Sequence, residues 1–119
     1  PFIQYAFARI SAIKRKAGDL KQDFDITSIT LNRSEKDLIL QLNQYQKSIS
    51  LAAEEYNPSI VANYVYELAK SFNKFYGESP VMNETDENLK SFRYNMCSFT
   101  GDVIENAMEL LGIKVPERM

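Results

Sequence analysis

A side chain does chemistry only when something activates it, and this sequence offers little activation. Histidine is absent from all 119 residues. That excludes imidazole acid–base catalysis, a Ser-His-Asp triad and every His-ligated metal site. The single cysteine, Cys97, falls beside the apolar face of a predicted helix, where it reads as a small buried hydrophobe. The acidic pairs Glu54-Glu55, Asp86-Glu87 and Glu105/Glu109 fall at a helix end, a helix start and an outer helical face, the usual places of solvated acids. No GxxxxGKS or GxGxxG loop is present to cradle phosphates. The expectation is no catalytic residue, no bound cofactor and no metal within these residues.

The other available chemistry is aromatic and basic. Seven Tyr and seven Phe accompany no Trp. Phe2, Tyr5, Tyr64, Tyr66, Phe72, Phe75 and Tyr76 are too many for one narrow stripe on each of their helices. Tyr5 and Tyr76 fall near predicted helix ends, where a ring stays half exposed. Arg9, Lys14, Arg15 and Lys16 lie close to Tyr5 in sequence. Single-stranded RNA is bound by this combination, cations on phosphates and rings under splayed bases. The same rings could equally fill a helical core, and the pattern alone leaves both open.

The elements that position these groups are predicted to be helices. A length of 119 residues suggests one domain, 1–119, with 45% hydrophobic residues to build its core. Four Gly and four Pro are too few for the turns of a sandwich or barrel. Ile3, Ala6, Ile10, Ile13 and Ala17 recur at helical steps through residues 2–17, and Gly18 follows as a C′ residue. Residues 18–33 read as a long loop with at most a short helical turn. Ser34 to Asp37 resembles a capping box for a helix that runs to about Glu55, with a bend near Gln46–Ser48. Asn57-Pro58 opens the next helix, which Gly77 ends. After a loop containing Pro80, Thr85 or Asp86 caps a last helix that closes at Gly112. Four or five helices make an all-α bundle, with antiparallel neighbours in the last pairs.

Charge is unevenly placed. The net charge is −2, yet residues 1–22 hold Arg9, Lys14, Arg15, Lys16 and Lys21 against Asp19 alone. A basic first helix on an acidic body suggests a local anionic partner. One cysteine gives no reason to expect an oxidising compartment, and no apolar run reaches the roughly 20 residues of a membrane span. The first residue, Pro1, is expected to be internal to a longer protein.

Three segments resemble a known family. Gln4-Tyr5-Ala6-Phe7-Ala8-Arg9-Ile10-Ser11-Ala12-Ile13, with Arg15-Lys16-Ala17, is similar to the YAHARI-x-SI-x-RKA segment that opens the C-terminal domain of arginyl-tRNA synthetases. Pro58 and the run from Ala62 through Tyr64-Val65-Tyr66-Glu67-Leu68-Ala69 to Phe72-Asn73-x-Phe75-Tyr76 resemble that family's next block. Glu109-Leu110-Leu111-Gly112-Ile113-x-x-Pro116-Glu117-Arg118-Met119 looks like its LLGI-x-x-PERM ending. Two positions depart from the pattern. Phe7 stands where the family usually has His, and Glu87-Asn88-Leu89-Lys90 occupies the place of the DALR signature, keeping the acid, the Leu and a base. That stretch reads as a capping and packing element. Arg93 matches the Arg of the following segment, with Tyr94 in place of Leu.

The resemblance implies the all-α, DALR-type anticodon-binding domain of a class I synthetase, a cytoplasmic enzyme that joins arginine to its tRNA with ATP. The catalytic domain that binds ATP is absent from these residues. The implied partners are the anticodon loop of arginine tRNA, including its middle cytosine, and the catalytic domain of the same chain, with no membrane and a monomeric state. By position, Tyr5, Arg9, Tyr76 and Met119 are implied to face the anticodon, with Phe72 and Asn73 in the same run. Lys14, Arg15 and Lys16 would contact phosphates. The first helix, the end of the Phe72–Tyr76 run and the C-terminal tail are then expected to converge. The contrasting expectation is a protein–protein interaction bundle without an RNA role, recognisable by a contiguous apolar patch.

Overall fold

The computed structural model describes residues 2–18 and 23–112. They form five α-helices and no strand: α1 (Phe2–Ala17), α2 (Arg33–Asn43), α3 (Tyr45–Glu54), α4 (Ser59–Glu78) and α5 (Glu87–Leu110), with one 3-10 turn at Ile26–Ser28. None of the described helices is long and apolar enough to cross a membrane. The expectation of an all-helical bundle is met.

The centre is α4, which packs against all four other helices. Its buried face, Val61, Tyr64, Val65, Leu68, Phe72 and Phe75, follows steps of three and four residues. Side-chain contacts give the directions. Asn32, before α2, reaches Ser79 at the far end of α4, whereas Gln41 near the end of α2 meets Tyr64 near the start of α4, so these helices are antiparallel. Arg93 early in α5 meets Glu35 early in α2, and Asn106 late in α5 meets Tyr45 just beyond α2, so α5 runs with α2 and against α4. Phe2 packs on Tyr66 and Arg9 reaches Asn73, so α1 runs with α4. Both Arg9 and Tyr76 are thereby brought to the end of the bundle where α4 stops.

Several boundaries differ from the sequence reading. The capping box belongs to Asn32, not Ser34: Asn32 Oδ1 accepts from the Glu35 N–H at 2.8 Å, and the Glu35 carboxylate accepts from the Asn32 N–H at 2.8 Å. Glu at the third position closes the box on Asn, whereas Ser34 donates its hydroxyl to Asn32 and is buried. The bend lies at Gln44 rather than Gln46–Ser48. There the backbone N–H bonds back to Gln41, closing α2 with a tight last turn. Gly77 does not end α4, which continues through Glu78. The stop is Pro80, which holds Ser79 extended (φ −130°, ψ 100°) while the Ser79 N–H still bonds Phe75 O at 2.8 Å. The expected left-handed glycines are Gly18 (φ 51°) and Gly112 (φ 76°). Asn57 caps α4 through its side chain, accepting from the Ser59 N–H, although the helix begins one residue after Pro58. Asp86 caps α5 with bonds from the Asn88 and Leu89 N–H groups.

The stretch in place of the DALR signature does more than cap. Asn88 accepts from the Asp25 N–H at 2.6 Å and donates to Asp25 O and Ser28 Oγ, pinning the 3-10 turn to α5. Phe24 adds an edge contact to Phe92.

Candidate nucleic-acid interface

Where α1 passes the end of α4, the surface opens into a hollow of about 390 Å³. Arg9 and Lys16 come from α1, Tyr76 from α4, and Pro80, Met82 and Asn83 from the following segment. No carboxylate lines it.

Its rim is built from rings outward. Phe72 and Phe75 are fully buried, with ring centroids 6.0 Å apart. Tyr76 lies on Phe72 at 6.1 Å and is 39% exposed. The Arg9 guanidinium sits 4.4 Å from the Tyr76 ring centroid, a cation–π contact, and its Nη1 donates to Asn73 Oδ1 at 3.0 Å. Three of the residues drawn from two distant segments are thus one unit. Tyr5 lies one helical turn before Arg9 on the same face of α1 and is 60% exposed. Lys16 lies two turns beyond Arg9 on that face.

The other expected residues divide. Phe72 cannot touch a ligand, because it is wholly enclosed; this corrects its inclusion among RNA-facing residues, and its part is to support Tyr76. Lys14 and Arg15 turn to a different face, a small hollow shared with Asp102 and Glu105. Lys14 Nζ lies 3.3 Å from Asp102 Oδ1, so its charge is already met. Met119 and the C-terminal tail lie outside the described residues. The segment Pro80–Asn83 was read only as a loop and was not anticipated as part of the site. Its signal was the Ser-Pro step that ends α4, which the helical stripe through Gly77 obscured. Phe7, in place of the family's His, is buried and has become core. Cys97 is buried as expected, and burial pushes its thiol up to about 12.

A second hollow, of about 230 Å³, is apolar, with Phe24, Leu42, Phe92, Met96 and Phe99 in its walls. It is an apolar hollow of the kind a docking bundle would show, and no cation is among its lining residues.

The family model described as the DALR anticodon binding domain matches residues 3–119. The arginine–tRNA ligase of Flavobacterium psychrophilum is 44% identical over 122 residues, covering 100% of this chain and 20% of the relative. That of Methanococcus maripaludis is 40% identical over 119 residues, covering 100% of this chain and 21% of the relative. Among solved structures, Thermus thermophilus arginyl-tRNA synthetase superposes with a TM-score of 0.91 at 32% identity, over 100% of this chain and 21% of that one. A putative arginyl-tRNA synthetase from Campylobacter jejuni gives 0.81 at 29% identity, over 99% of this chain and 26% of that one. The chain therefore spans about a fifth of the length of the curated relatives it matches. A match across nearly every residue, and a backbone that superposes along its whole length, leave no segment of the bundle unaccounted for, and the chain belongs to the DALR anticodon binding domain family.

Proposed function

We propose that these residues hold the anticodon loop of arginine tRNA as one domain of a longer, cytoplasmic arginine–tRNA ligase, whose ATP-dependent chemistry resides in another domain of the same chain. The observation that carries this is Arg9 held over the ring of Tyr76 at the edge of a cationic hollow. The guanidinium carbon lies 4.4 Å from the Tyr76 ring centroid and Nη1 is bonded to Asn73. Arg9 is exposed, so its guanidinium can also meet an unstacked base, and its remaining N–H groups can donate to a base edge or phosphate. Tyr5 supplies a second exposed ring and Lys16 a cation. Met119 remains part of the proposal through its family position alone. The unit works as a monomer with respect to RNA, since both helices forming the hollow come from one chain.

The test is binding of the 119-residue chain to arginine tRNA and to the same tRNA with only its anticodon loop changed. The cognate tRNA is expected to bind about tenfold more tightly or better. Arg9→Ala should lose about 1–3 kcal/mol of that binding, the range for one base–aromatic contact. Equal affinity for the two tRNAs would overturn the reading.

A further inference from the structure

A buried charged cluster lies behind one wall of the hollow. Arg93 on α5 is 8% exposed and Glu35 on α2 is 0% exposed. Arg93 Nε donates to Glu35 Oε2 at 2.9 Å, while Nη1 donates to Pro80 O at 2.9 Å and to Glu84 Oε1 at 3.0 Å. The two Nη1 partners bracket Val81, Met82 and Asn83, three residues that line the hollow. The bracket is reinforced on both sides. Asn32 Nδ2 donates to Ser79 Oγ at 2.8 Å, and Glu84 Oε2 accepts from the Asp86 N–H at 3.1 Å. Val81 is sealed into the core. Of the three bracketed residues only Asn83 is exposed, and it carries the one side-chain amide in the hollow's lining.

Such a cluster is a poor device for stability alone. Desolvating charges is costly, and an apolar cluster of the same volume is often as stable. What apolar side chains cannot do is grip a backbone carbonyl and a carboxylate on either side of a short segment. A planar guanidinium with fixed donor directions does this, and a lysine does not.

We propose, resting on the function above, that Arg93, oriented by Glu35, is a positioning residue that holds Pro80–Glu84 as a rigid wall and so sets which base the hollow accepts. Without the bracket the wall samples several arrangements. Asn83 then meets a base edge less often, and the hollow discriminates less between bases.

The experiment uses the 119-residue chain as Arg93→Lys and as Glu84→Ala. The second variant keeps the buried Glu35–Arg93 pair and protects the test against simple misfolding. Thermal melting establishes that each variant is folded. Two RNA hairpins serve as probes, one with the arginine anticodon loop and one differing only in the middle anticodon base. The ratio of their affinities is expected to fall about tenfold in both variants, mostly through weaker cognate binding. Amide hydrogen exchange at residues 81–84 is expected to quicken, also about tenfold, with exchange in α1 and α4 unchanged. A folded Glu84→Ala chain with the wild-type ratio and wild-type exchange overturns the proposal. So does faster exchange with an unchanged ratio, because the wall would then move without affecting choice. A wild-type chain that prefers neither hairpin overturns the function itself, and the positioning role with it.

Discussion

Arg9 shows what a single residue's neighbours add to its type. In the sequence it is one of several basic side chains on a short stretch. In the structure it alone among Arg9, Lys14 and Lys16 lies over a ring, because Tyr76 stands at the end of α4 on a base of buried Phe72. The basic and aromatic character of the site was legible from composition and from the resemblance. Phe72's burial was not, since a helical run of Phe72, Phe75 and Tyr76 leaves open which ring faces outward. Cys97 was the easier reading: the sequence has no histidine to activate it, and an apolar helical face was its context. Burial raises its thiol from 9.0 to about 12, so the folded chain disfavours the thiolate. The sign follows: the group's contribution to stability is whole below pH 9.0 and declines as pH rises from there towards about 12. At pH 8, alkylation of Cys97 by iodoacetamide should therefore occur only through unfolded molecules, at a rate that tracks the unfolding equilibrium as urea is added. Labelling of the native chain at the rate of a free thiol would contradict its burial.

At the scale of elements, four helical stretches could be placed by period and caps, the second of them split into α2 and α3 in the structure, and the other errors fell at helix ends. Ser34 and Asn32 are both good caps, and the choice between them turned on Glu35, which completes the box only with Asn32. Gly77 read as a stop, yet its backbone is not left-handed, and Pro80 ends the helix instead. Contacts between helices were not legible, and Gly101 is the clearest case. A Cβ there would lie 2.8 Å from Ile10 Cγ2 on α1, so this glycine sets how closely α1 and α5 approach. Gly101→Ala gains helix propensity worth about 0.5–1 kcal/mol but overpacks a buried contact at about 1–3 kcal/mol. The net expectation is destabilisation, read as a lower urea midpoint. Ile10→Leu removes the clashing branch, so it should restore part of the loss in the double variant. Gly77 provides the control, because nothing lies within 4 Å of a Cβ there, and Gly77→Ala should leave the midpoint unchanged or raised. An unchanged midpoint for Gly101→Ala would mean that α1 shifts freely along α5.

The whole molecule decides which charges are available to a polyanion. The sequence shows a basic first helix on an acidic remainder, and that asymmetry points to an anionic partner without saying which side of the helix faces it. The answer depends on residues far along the chain. Steps of seven residues put Lys16 on the Arg9 side, above a hollow without carboxylates. Lys14 instead faces α5, where Asp102, 88 positions away, takes its charge, and Arg15 shares that hollow with Asp102 and Glu105. The basic stretch is therefore split between one face that is balanced and one that is not. Each phosphate neutralised on single-stranded RNA contributes about 0.7 to the slope of log affinity against log salt concentration. Lys16→Ala should make the slope for arginine tRNA shallower by about that amount and weaken binding most at low salt. Lys14→Ala should leave the slope nearly unchanged, because that lysine already has an intramolecular partner. A reversed order, with Lys14 carrying the larger change, would place the RNA along the α1–α5 face and away from Tyr76. Equal changes would mean that the phosphate backbone wraps α1 on both sides, and that the Lys14–Asp102 pair opens to admit it.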